Sequence, residues 1–193
     1  MATEDRALID AFTPWYDFAL AEHLLVPAPP AETYDSVAPL RSGWRAAPLG
    51  TLAWVRGRPV RLRPPGAVPA FEELLLGGEW ILLGERPGEE LLLGVAGRFW
   101  TQVPQWHPVS RAEFTTYARP RSGTIAIALE LHAVAERGTL ITFETRWTVI
   151  DPVARHWAEW YWQTIKPSIR LIARQILHAV HTSTAPGLAG TDT

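Results

Sequence analysis

Residues 142–177 read TFETRWTVIDPVARHWAEWYWQTIKPSIRLIARQIL, and the hydrophobic period changes partway along. Ile141, Phe143, Thr145, Trp147 and Val149 share one parity, the two-residue repeat of a strand with one covered face. Asp151-Pro152 then supplies a cap and a first-turn proline. Beyond it Trp157, Trp160, Tyr161, Ile165, Ile169, Ile172 and Ile176 recur at spacings near three and four, with Arg155, Glu159, Arg170 and Arg174 at more polar positions. A strand therefore runs into a long amphipathic helix ending near Val180. Pro167 removes one helical hydrogen bond and crowds the preceding turn, so a kink is expected there.

Upstream, Ile125, Ile127, Leu129, Leu131 and Ala133 alternate in the same way, and Thr124 to Val149 reads as a long hairpin turning around residues 136–139. Only an odd-length loop brings the two apolar rows onto one face. Pairing Leu131 with Phe143 sets Glu130 against Glu144. A two-residue slip sets Glu130 against Arg146 and His132 against Glu144, and charge favours that slipped register.

The segment ILLGERPGEELLLGVAGRFW, residues 81–100, holds two further apolar runs about Arg86-Pro87-Gly88-Glu89, where proline followed by glycine suits a type II turn. Leu91, Leu93 and Val95 share one face, Leu92 and Ala96 the other, so both look covered and either could point inward. Asp17 to Val26 reads as the first strand, followed by a short proline-initiated helix; Phe71, Leu74 and Leu75 are spaced for one helical turn; Phe114 to Ala118 reads as a strand. Residues 1–16 form an N-terminal extension, 17–180 one domain, and 181–193, rich in Ser, Thr, Gly and Ala, a disordered tail.

At 193 residues, 47% hydrophobic and 20% charged with a formal charge of -2, the chain has the composition of a globular domain with a substantial core, and its charge nominates no polyanionic partner. The absence of cysteine excludes disulfides, thiolate metal sites and cysteine nucleophiles. The acidic N-terminus lacks a secretory pattern, and no apolar run approaches the roughly 20 residues that span a bilayer, so the expected location is cytoplasmic. Walker, zincin and nucleophile-elbow motifs are absent and the six histidines are scattered, so neither cofactor nor metal is expected.

The order of elements, together with HLLVPAPPAETYDSV at residues 23–37, the 81–100 segment and the closing strand–helix run, resembles the START-like superfamily of polyketide cyclases/dehydrases and lipid-transport proteins (SRPBCC). The similarity extends over roughly residues 17–180. Its most specific part resembles a bacterial branch, with Glu144, Thr145, Arg146, Asp151, Arg155 and Pro167 filling the pattern; Ser168 stands where a glycine is expected. The resemblance implies an α+β helix-grip fold: a curved antiparallel sheet wrapped around a long kinked C-terminal helix, with short helices after the first strand. It also implies an apolar cavity for a lipid- or polyketide-like molecule. The same scaffold serves carriers and catalysts, so it names no reaction.

The expected cavity wall is Leu91, Leu93, Leu129, Leu131, Phe143, Trp147, Trp157, Tyr161, Ile165 and Ile169, with Arg98 at the mouth or paired to a carboxylate such as Glu85. For a cyclase- or dehydratase-like alternative, Glu130, His132, Glu144 and Arg146 supply acid, base and cation, but only if they face the cavity rather than solvent. Residues 41–63, with their arginines and two tryptophans, suit an interaction module. A solvated loop is favoured over a nucleic-acid patch; peripheral membrane contact stays open, and the pattern carries no oligomeric signal.

Overall fold

The computed structural model describes residues 6–44, 68–135 and 138–184. Most of the arginine- and tryptophan-rich segment, both chain ends and two residues of the hairpin turn lie outside the described residues. In chain order the elements are α1 (Leu8–Phe12), β1 (Phe18–Val26), α2 (Pro30–Val37), a 3-10 turn (Ala38–Ser42), α3 (Phe71–Gly77), β2 (Ile81–Arg86), β3 (Glu90–Arg98) and β4 (Gln105–His107). They are followed by α4 (Arg111–Phe114), β5 (Gly123–Val134), β6 (Gly138–Val149) and α5 (Pro152–Thr184).

The strands form an antiparallel sheet in the order β1-β6-β5-β3-β2, with β4 pairing on β3. One face carries Leu20, Leu91, Leu93, Val95, Ile125, Ile127, Leu129, Leu131, Ile141, Phe143, Trp147 and Val149, buried in one cluster with the inner side of α5. This α+β arrangement, with short helices after β1 and a long helix laid over one sheet face, is the helix grip that the resemblance implied.

The β5–β6 rows meet as their alternation requires, with Ile125 opposite Trp147 and Leu129 opposite Phe143. Neither register considered from charge is adopted: Glu130 lies opposite Thr142, His132 opposite Leu140, and Ala126 opposite Arg146. The turn is therefore centred earlier in the chain, closing between Val134 and Gly138. Gly138 has φ +105°, and a Cβ there would lie 2.1 Å from the Val26 carbonyl oxygen. Close packing of the return strand on β1, which an alternation count does not contain, therefore requires a glycine at the start of β6.

At the β2–β3 turn Gly88 has φ +82° and the Glu89 N–H donates to the Arg86 carbonyl at 2.9 Å, as a type II turn requires. The expected strand at 114–118 is instead the end of α4 and a turn. Ser110 Oγ accepts from the Glu113 N–H at 3.4 Å, and Glu113 Oε2 accepts from the Ser110 N–H at 3.0 Å. This capping box starts a helix just before the aromatic run.

Asp151 accepts from the Ala154 N–H at 2.9 Å, and α5 stays helical through Pro167 to Thr184, past the expected end at Val180. Its buried face in the first turns is Ala154, Ala158, Tyr161 and Trp162, whereas Trp157 and Trp160 are 60% and 55% exposed. Ring size misled the sequence reading: the two alanines let the helix approach the sheet, and the tryptophans occupy its outer side.

The opposite sheet face is covered as well. Ile9 of α1 and Phe114 of α4 pack with Leu83, Leu92, Ala126 and Ala128 into a second buried cluster. The N-terminal segment is thus an integral cover for the back of the sheet.

Candidate functional site

Trp147 stands at the centre of the helix-side core. Its ring lies edge-on to Phe99 at 4.9 Å and to Trp162 at 5.0 Å, and tilted over Tyr161 at 6.0 Å between centroids. Its indole N–H donates to Thr145 Oγ1 at 3.1 Å, and that hydroxyl donates to the Ala126 carbonyl at 3.0 Å, so the polar atoms of these two side chains are satisfied locally. Tyr161 donates its hydroxyl to the Pro69 carbonyl at 2.8 Å. Leu91, Leu93, Leu129, Leu131, Phe143, Trp147, Tyr161, Ile165 and Ile169 are all buried within this one cluster. Trp157 is the expected wall residue that departs, on the outer side of α5.

A cleft of about 350 Å³ opens at one end of this core, between the 3-10 turn and the α3–β2 connection. It is lined by Ser42, Gly43, Trp44, Leu75, Gly77, Gly78, Glu79 and Trp80. Trp44 and Trp80 meet edge-on at 6.2 Å, and Trp44 also lies 6.5 Å from Phe143, which links the cleft to the inner sheet face. Trp80 fixes its indole by donating to the Leu74 carbonyl at 3.3 Å. Beside the cleft, the Tyr34 hydroxyl donates to Glu85 at 2.8 Å and Arg41 pairs with the same carboxylate at 3.4 Å. Burial, reinforced by the Glu85 carboxylate, pushes the Tyr34 phenol up to about 12, so it remains a donor.

Sequence reasoning did not assemble this lining. Trp44 was read only as part of a basic segment, and the Gly77-Gly78 pair before Trp80 was the available sign of a close backbone approach.

Arg98 does not pair with Glu85, which Tyr34 and Arg41 already hold. By strand parity it lies with Leu92 on the face away from α5, so it is not at the mouth of this cleft; its Nε is buried with no hydrogen-bond partner among the described residues.

Glu130, His132, Glu144 and Arg146 also lie on the face away from α5, where α1 partly covers them. Arg146 is bound by Glu144 Oε1 at 2.6 Å, Asp10 Oδ1 at 2.6 Å and the Thr13 carbonyl at 3.1 Å, and stacks 4.7 Å over the Tyr16 ring. Glu130 lies 3.7 Å from His132. Burial, then the neighbouring Glu144 and Glu90 carboxylates, raise its pKa above the ordinary carboxylate value. The arrangement is a half-buried ion network anchoring the N-terminal segment; the cross-strand ladder expected from the slipped register does not form. Among the described residues no group of three or more His, Asp or Glu side chains could hold a metal ion, and no helix is long and apolar enough to cross a membrane.

No protein-family model matches the chain and no curated protein does. Among solved structures it is similar to protein CV1439 from Chromobacterium violaceum, with 13% identity and TM-score 0.40 over 88% of this chain and 99% of that one. An uncharacterised protein from Rhizobium leguminosarum gives 11% identity and TM-score 0.42 over 86% and 93%. The di-domain ARO/CYC BexL from the BE-7585A biosynthetic pathway gives 12% and 0.42 over 88% of this chain and 50% of that one. No residue role is carried from these proteins to this chain.

Proposed function

We propose that this chain binds a hydrophobic small molecule, lipid- or polyketide-like, entering through the Trp44–Trp80 cleft toward the space between sheet and α5. The observation that carries the reading is the Trp44–Trp80 ring pair in the cleft lining, with Trp44 packed in turn on Phe143 of the apolar inner face. Its volume lies within the roughly 300–1,000 Å³ of small-molecule sites; polar atoms make up the larger part of its exposed lining, and Trp44, Leu75 and Trp80 supply its apolar contacts. The enzyme alternative loses its support because Glu130, His132, Glu144 and Arg146 point to the other side of the sheet.

Gly77 offers a direct test. Gly77 lines the cleft and an added Cβ there would make only an ordinary 3.7 Å contact with the Trp106 indole, so Gly77→Leu adds bulk at the cleft wall and removes a helix-weakening residue. Solvent extraction and native mass spectrometry of the purified protein, with titration of a fluorescent fatty acid, should find a bound apolar molecule in the wild type. The variant should bind the probe at least about tenfold more weakly at equal or higher melting temperature. Unchanged probe affinity in the variant, or a wild type that takes up no apolar molecule at all, overturns the proposal.

A further inference from the structure

The outer side of α5 carries a second apolar row. Val153, Trp157, Trp160, Pro167 and Leu171 are separated by intervals of three, four and seven residues, which align them along one side of a helix. Val153 is 70% exposed, Trp157 60%, Trp160 55% and Leu171 54%. Single exposed apolar residues are ordinary, but two tryptophans and two aliphatic residues in helical register are a patch that packing among the described residues does not use.

The charges around the row have a consistent direction. Arg170 and Arg174 each bond Glu22 of β1, at 2.7 and 2.8 Å, and Arg155 bonds Asp17 at 2.8 Å. The carboxylates lie beneath, 13% and 14% exposed, while the guanidinium-bearing side chains stand 51–60% exposed above them. Lys166 joins Arg170 and Arg174 around a shallow groove of about 390 Å³, completed by Gln163, Pro167 and Leu171. Glu159 is the one carboxylate that α5 itself contains. The outer face therefore presents indole and aliphatic groups bordered by cations.

Two occupants could cover such a face. A second copy packed helix against helix would offer Lys166, Arg170 and Arg174 a single carboxylate of its own α5, Glu159. A bilayer would accept the tryptophans at headgroup depth, the aliphatic side chains just below, and the cations among the phosphates. We propose that the outer face of α5 docks on a membrane surface containing anionic phospholipid, with Val153, Trp157, Trp160 and Leu171 entering the interface and lipid phosphate seated between Lys166, Arg170 and Arg174. This docking stands independently of what the cleft binds.

The test is flotation of the full chain with phosphatidylcholine vesicles, with and without phosphatidylglycerol, beside a Trp157→Ser/Trp160→Ser double variant and a Lys166→Glu variant. All three positions are at least partly exposed, and unchanged circular dichroism and melting temperature establish that the variants fold. The wild type should float with the phosphatidylglycerol vesicles and bind phosphatidylcholine alone roughly tenfold more weakly. The double variant should lose about tenfold or more on the anionic vesicles, and Lys166→Glu several-fold in a salt-dependent way. Absence of flotation with either vesicle, or a double variant that floats as the wild type does, overturns the proposal. So does a wild-type dimer in vesicle-free solution that the double variant dissociates, because a second copy would then be the occupant.

Discussion

Arg146 shows how far a side chain's surroundings can differ from what its place in a strand suggests. Alternation correctly puts it on the face away from Trp147, but its partners come from far away in sequence: Asp10 and the Thr13 carbonyl, besides Glu144 on its own strand. No local pattern contains those pairings, so an expected solvent-facing charge became the anchor of the N-terminal segment. Arg146→Met should destabilise the fold by about 3 kcal/mol in urea unfolding, near the lower end for a broken buried ion pair because the Asp10 side chain is 43% exposed. Replacing Glu144 with Met in the same chain should recover part of that loss by removing the carboxylate left unpaired. A single variant as stable as wild type would show that the network is dispensable. Trp157 gives the complementary lesson: its spacing is compatible with the core stripe, but the small Ala154 and Ala158 take the inward positions. Hydrophobic size alone does not reveal which side of a helix can approach a sheet closely.

Periodicity located β1, β2, β3, the β5–β6 hairpin and the long helix because each contains a repeat matched to its own geometry. β4 has three residues, too few to show a repeat, and α4 was hidden because its start is marked by a capping box while its aromatic end resembles a strand. Register failed for a different reason: a cross-strand charge pair contributes little, and Arg146 finds its carboxylates on its own strand and in α1 instead. The contact between α5 and β1 yields a pH prediction. Burial pushes the Glu22 carboxyl upward, but hydrogen bonds from Arg174 and Arg170 outweigh it and hold the pKa below its ordinary value. A lowered carboxylate pKa stabilises the fold fully above the unfolded-state value, and the contribution disappears as pH falls through the folded-state value. Glu22→Gln should therefore lower stability at pH 7 by about 1 kcal/mol or less, since both arginines are solvent-exposed, a melting shift of at most roughly 2–4 °C. The two proteins should converge as pH drops toward the acid end of a thermal-melt series; a gap that widens there would refute the assignment.

The two cores formed by the described residues make stability depend on both faces of one sheet. The larger lies under α5, and the smaller is closed by α1 and α4. Reading residues 1–16 as an extension missed the second, because five residues of helix carry almost no periodic signal and their apolar side chains find partners only after the sheet has formed. Removal of residues 1–16 should cost at least about 2 kcal/mol through Ile9 and its neighbours alone, and should raise binding of an apolar dye to the uncovered Leu83, Leu92 and Phe114. A truncated chain with unchanged melting and no added dye binding would show that α1 is only loosely associated. The candidate cleft was harder to foresee than the fold, since its rim joins Trp44 to Gly77, Gly78 and Trp80 through chain reversals that local patterns do not encode.

β1 ends the described sheet, and an end strand normally invites another chain to continue the ladder. Glu22 sits on the helix-facing side of that strand, clamped by two guanidinium groups, so a strand added there would set its side chains beside a charged cluster. The same clasp that fastens the helix thus places charge at the margin of the sheet, where it disfavours a further strand.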